Sequence, residues 1–179
     1  VKPPLIPEPL VIPENAPEVL TRILTRMDIF LRRGEPVEAC TSLRDAMDYL
    51  TRYYAGLAVA AYKQLGDVPE EITRMAQSSL SVHQCEKLLL RALEFIGTAS
   101  DEQLGVAIRE VFYYTETFSQ TEKPTGAHTR LLILDADTSN NIQYIADFCA
   151  LKPGEGVLSH PTRSQREIER FLPALRDWL

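Results

Sequence analysis

The chain is poor in the residues that build most catalytic and cofactor chemistry. Its 179 residues include three histidines, three cysteines, one tryptophan and eight glycines. The glycines are scattered, mostly where helices should end, so the sequence contains no glycine-rich phosphate loop and no nucleophile elbow. The cysteines, Cys40, Cys85 and Cys149, form an odd and widely spaced set without a metal-ligand rhythm. That pattern fits a reducing compartment, where a buried thiol serves as a small hydrophobe. Basic residues are outnumbered 19 to 25, leaving a formal charge of −6. A dedicated nucleic-acid binder carries the opposite excess, so nucleic acid is not the expected partner. No apolar run approaches the ~18 residues of a membrane span, and no charged-then-apolar leader resembles a signal peptide. A cytoplasmic protein without membrane attachment, metal or other cofactor is expected.

What is present suffices for a core. Hydrophobic residues make up 45% of the chain and charged residues 25%. A folded chain of this length removes about 70% of its unfolded surface from water. The sequence begins at Val1 rather than Met, which reads as a module of a larger protein or a processed chain.

Six of the twelve prolines fall within the first 17 residues (Pro3, Pro4, Pro7, Pro9, Pro13 and Pro17). Proline lacks a backbone donor and fixes φ, so residues 1–14 should form an extended arm or linker. Such an arm either packs on its own domain or docks in a groove elsewhere at small entropic cost. Helical periodicity begins at Asn15, a potential cap. Leu20, Ile23, Leu24, Met27, Phe30 and Leu31 form an apolar face, and Gly34 closes the segment. Pro36 opens a longer helix to Leu65, with a seam of Leu43, Met47, Leu50, Tyr54, Leu57, Ala61 and Leu65. Gly56, Ala58, Ala60 and Ala61 would permit close approach of a neighbour. Arg44, Asp48 and Arg52 read as a solvated face.

Pro69 starts a short helix to about Ser79, and Ser81 with Gln84 makes a capping box for a helix that stops at Gly97. A second box, Ser100 with Gln103, precedes a helix carrying Leu104, Ile108, Val111, Phe112, Tyr113, Tyr114 and Phe118. Residues 120–128 read as a loop. The run Leu131–Leu134 reads as helix, because a lone strand would have no partner. Ile142, Ile145, Ala146, Phe148 and Cys149 form another helical face. Thr162 and Gln165 make a third capping box before a stripe of Ile168, Phe171, Leu172, Leu175, Trp178 and Leu179, within which Pro173 predicts a kink. The expected fold is all-α: an up-and-down bundle with accessory helices, one domain over 15–179, preceded by the arm.

Several constellations invite a chemical reading. Asp135, Asp137, Ser139, Asn140 and Ile142 follow the order of a calcium loop. The closing position holds Ala146 where a bidentate carboxylate belongs, so a helix cap near Asp137 is the better account. The same run imitates a phosphatase strand ending in paired aspartates. Only 42 residues follow Asp137, however, too few for the sheet that chemistry requires. His83 and Cys85, with Cys40 and Cys149, lack the close pairs of a zinc site. Tyrosines concentrate on the second and fifth expected helices. Tyr53, Tyr113 and Tyr114, together with Trp178, are the candidate partner-binding residues, because amphipathic aromatics suit recognition.

The stretch Ser42, Leu43, Arg44, Asp45, Ala46, Met47, Asp48, Tyr49, Leu50 through Ala58, Val59, Ala60, Ala61 and Tyr62, after a Gly34-Glu35-Pro36 turn, resembles the long second helix of HEPN-type domains. These helical modules accompany effector domains in bacterial signalling and defence proteins. The resemblance spans residues 15–118. Catalytic members cleave RNA with an arginine followed, after four to six residues, by a histidine. Here eight residues separate Arg74 from His83, and neither His128 nor His160 has an arginine at the required distance. The resemblance therefore implies a non-catalytic member acting through protein contact.

These features together predict a helical protein-interaction or regulatory module within a larger multidomain protein, binding a protein partner or a second copy of itself. The competing expectation is a divergent ribonuclease or nucleotide-acting enzyme. In it His83 or His128 would act as acid or base, and Arg44 or Arg130 would stabilise phosphate charge.

Overall fold

The N-terminal arm lies along the first helix, and among its described residues two amides bond to that helix: Leu5 N–H donates to Leu31 O (2.8 Å) and Leu10 N–H to Asp28 Oδ1 (2.8 Å). Leu10 is buried, whereas Val11 beside it is 82% exposed. Of the two fates expected for the arm, packing on its own domain is the one observed. The computed structural model describes residues 3–6, 9–65, 68, 70–76, 80–98, 113–115, 129–131 and 147–179. The chain divides into two compact units, one of Val1–Thr51 with Ile145–Leu179 and the other of Arg52–Tyr144.

In the first unit, α1 (Glu18–Arg33) buries Leu20, Leu24, Met27 and Leu31, at the three-and-four spacing of one helix face. Asn15 is not its cap. Asn15 sits in a turn closed by Ala16 N–H to Pro13 O (3.1 Å), and Pro17, in extended conformation, precedes the first helical residue. Gly34 ends α1 at φ 65°, a left-handed conformation that glycine adopts without a Cβ clash, while Glu35 N–H donates back to Phe30 O (3.0 Å). Helix α2 then runs from Pro36 to Leu65, as the sequence predicts.

The expected seam on α2 is correct only in its first half. Leu43, Met47 and Leu50 are buried, but Leu57 is 41% exposed, and Ala55, Val59 and Tyr62 are buried in place of Tyr54, Leu57 and Ala61. The buried face changes where α2 passes from the first unit to the second, at Thr51 and Arg52, and each half buries residues against the neighbours of its own unit, which periodicity along one helix does not anticipate.

The chain returns to the first unit through a helical segment at 147–150, a 3-10 turn at Gly156–Ser159 and the terminal helix, named α5 (Pro161–Trp178). The Phe148 and Phe171 rings stack at 4.8 Å. Ser164, fully buried, donates its hydroxyl to Val157 O (2.7 Å) and joins the turn to α5. The third capping box does not form: Pro161 takes the first helical position, so Thr162 lies inside the helix and His160 precedes it without a side-chain cap. The helix continues through Pro173 to Trp178.

The second unit holds the rest of α2, then α3 (Glu70–Ala76), which packs on α4 (Val82–Thr98). The capping box at the start of α4 is present in both directions: Ser81 N–H to Gln84 Oε1 (2.9 Å) and Gln84 N–H to Ser81 Oγ (3.3 Å). Among the described residues the fold is all-α apart from one ribbon of two three-residue strands, β1 (Tyr113–Thr115) and β2 (Thr129–Leu131), paired antiparallel with Tyr113 opposite Leu131 and Tyr114 opposite Arg130. Helix was expected at Tyr113 and Tyr114 and from Leu131. The physical reason is the pairing: Tyr-Tyr-Thr is rich in aromatic and β-branched residues, and a short strand is viable once a second one, distant in sequence, lies opposite it. The remainder of the expected fifth helix, and Leu132–Leu134, lie outside the described residues.

Candidate functional site

The feature of the second unit with most functional promise is a groove of about 330 Å³ between α2 and the start of α4. From α2 it is lined by Arg52, Ala55, Gly56, Val59, Ala60 and Lys63, and from the other side by Leu80, Cys85 and Leu88. Ala55, Val59, Cys85 and Leu88 are buried and form the floor. Gly56 and Ala60 are exposed, and a Cβ added at Gly56 would meet no atom within 4 Å. The groove is therefore shallow along α2 because its side chains there are a hydrogen and a methyl. Arg52 is fixed at one end, its Nη1 donating to Leu80 O (2.7 Å) and reaching Cys85 Sγ at 3.9 Å.

Tyr53 and Leu57 stand one turn apart on the same helix, 42% and 41% exposed. The Tyr53 ring meets Tyr54 edge-on at 5.8 Å. Burial, with Tyr53 adding to it, pushes the Tyr54 phenol above its ordinary pKa, so Tyr54 stays protonated at neutral pH. Among the expected partner-binding residues, Tyr53 is thus an exposed aromatic beside the groove. Tyr113 and Tyr114 lie in β1, and Trp178 is the last residue of α5. The side chains of those three lie outside the described residues.

Arg44 is not part of a solvated face. Its side chain is 17% exposed, its Nη2 meets Asp45 Oδ1 at 2.7 Å, and its buried Nε has no hydrogen-bond partner. Asp45 in turn takes Arg26 Nη2 on its other oxygen at 2.7 Å, and Arg26 Nε donates to Ser42 Oγ (3.2 Å). One carboxylate held by two guanidiniums ties α1 to α2, a structural duty that occupies Arg44. His83 is a half-buried residue of α4. Arg130 belongs to β2 and pairs in register with Tyr114, while His128, Asp135 and Asp137 lie outside the described residues.

All three cysteines are buried thiols that form no disulfide. Burial, reinforced by the charge of Glu167 and opposed by a hydrogen bond with Ser164, pushes the Cys40 thiol up to about 12. It is a core group and no nucleophile at neutral pH. Among the described residues no three His, Cys, Asp or Glu side chains gather to hold a metal ion, and no helix is long and apolar enough to cross a membrane.

Sequence reasoning missed Arg52, Lys63 and Leu80 as parts of one site. The signal within reach was the small-residue spacing Gly56-Ala60, expected to admit a close neighbour and instead exposed. Comparison with protein-family models, with curated proteins and with solved structures found no match for this chain.

Proposed function

We propose that the chain is a non-catalytic helical docking module, part of a larger protein, that binds a protein partner through the α2–α4 groove of its second unit. One observation carries this reading: an apolar floor lies under exposed Gly56 and Ala60, with Tyr53 and Leu57 presented on the same helix. A helix surface without bulk lets a partner backbone come close, and exposed aromatic and aliphatic side chains supply the apolar area that gives affinity, at about 25 cal/mol per Å² before the costs of association. The cysteines and Arg44 support it from the other direction, because their chemistry is consumed by packing and by the Arg26–Asp45–Arg44 tie.

Site-specific photocrosslinking tests the proposal. A photoreactive residue at Ala60 should give a discrete protein adduct in the cell of origin, and the same residue at exposed Val19 of α1 should not. Equal adducts from both positions, or none from Ala60, would remove the groove from consideration.

A further inference from the structure

Resting on that docking role, we infer that the groove takes an acidic amphipathic helix of a protein partner, crossing α2 at Gly56 and Ala60, rather than a second copy of this chain. The reason is charge. Arg52 and Lys63 both line the groove and both are exposed. They are eleven positions apart, which at 3.6 residues per turn is about three turns, so they lie on one flank about 16 Å apart along the helix. Between them the lining is Ala55, Gly56, Val59 and Ala60, and the facing wall is Leu80, Cys85 and Leu88. The lining thus contains two cations and no carboxylate, on a chain whose formal charge is −6.

Self-association meets this arrangement badly. An antiparallel pairing of two α2 helices about Leu57 and Ala58 sets Arg52 of each copy opposite Lys63 of the other. A parallel pairing in register sets each cation opposite its own twin. Either way like charges meet twice beside an apolar floor, where they are poorly screened. A partner helix with a small or apolar stripe and two carboxylates spaced three turns apart sets an opposite charge at each end, and its apolar stripe covers the floor between them. Arg52 is anchored by Leu80 O, so its charge sits at a fixed place. Tyr53 and Leu57 then flank the partner on the side away from α4.

Fluorescence anisotropy with the full chain tests this. The probes are two labelled helical peptides of about 18 residues that share one Leu/Ala stripe. One carries glutamates eleven residues apart on the flank, and its twin carries lysines there. The glutamate peptide should bind about tenfold tighter than the twin, with the gap closing as salt is raised. Lys63→Glu should remove that preference. Gly56→Gln, which adds bulk at an open position, should weaken binding about tenfold while the melting temperature stays equal or rises. If both peptides bind equally and Gly56→Gln weakens both, the acidic partner is overturned and the docking role stands. If neither binds and sedimentation shows a dimer that Gly56→Gln dissociates, the occupant is a second copy and the acidic partner is again overturned. If neither binds and the chain stays monomeric, the docking role falls with it.

Discussion

The two halves of α2 use the same backbone for opposite ends. From Ala39 to Leu50 the helix presents Leu43 and Met47, both fully buried, to a unit whose other large buried side chains include Leu24, Leu31, Phe171 and Leu175. From Arg52 to Lys63 it buries Ala55, Ala58, Val59 and Tyr62, and Tyr53 and Leu57 are left outside. Exposure distinguishes the two: no residue from Ala39 to Leu50 is exposed, whereas Arg52, Tyr53, Gly56, Leu57, Ala60 and Lys63 are. Large residues interlock and seal a core, whereas alanine and glycine leave a surface low enough for another backbone to approach. A substitution should therefore cost stability in the first unit and change recognition in the second.

The largest effect is expected at the Phe148–Phe171 stack. Phe171→Ala removes a fully buried ring and should cost about 3–5 kcal/mol in urea unfolding, whereas Leu57→Ala should cost well under 1 kcal/mol. Similar losses at both positions would abolish the distinction between sealed and open halves. Next comes Asp45→Asn, which leaves Arg44 and Arg26 without their carboxylate. A pair of intermediate burial should lose about 1–2 kcal/mol, and Arg26→Gln added to Asp45→Asn should cost little more, since the two share one network.

Ser81→Ala removes one arm of the capping box and should destabilise by about 1 kcal/mol. Gly56→Ala has the opposite sign. The position is helical and open, so relief of glycine's chain entropy should raise stability by about 0.5–1 kcal/mol, visible as a higher melting temperature.

The smallest effect at neutral pH concerns Cys40. Its thiol ionises at about 12 in the folded chain against 9.0 ordinarily, so the unfolded chain loses that proton first. The stability it contributes is full below pH 9.0 and declines as pH rises toward about 12. Cys40→Ala should flatten that alkaline slope, and iodoacetamide at pH 8 should leave Cys40 unmodified until denaturant is added.

Much of the helical frame was legible in the sequence because its signals are local. Pro36 and Gly34 set a boundary by their own backbone preferences, and Ser81 with Gln84 specify a reciprocal pair of bonds over three residues. The failures involve competition or long range. Pro161 displaced Thr162 from the cap, a contest that propensity alone does not rank. Tyr113–Thr115 became a strand through a partner fourteen or more positions away. The groove was half legible: periodicity identified Gly56 and Ala60 as a place of close approach. It could not say that the approach is left open, nor that Leu80 would hold Arg52 at its end, since both depend on how α4 lies against α2.

The arm's attachment has a consequence for its own composition. Among its described residues the anchoring bonds to α1 are donated by main-chain amides, at Leu5 and Leu10, and prolines occupy Pro3, Pro4, Pro9 and Pro13 around them. Proline at any of those four places deprives the tether of nothing, while at either of the two leucines it would delete a rung outright. The segment can therefore become still stiffer without letting go, provided that two nitrogens keep their hydrogens.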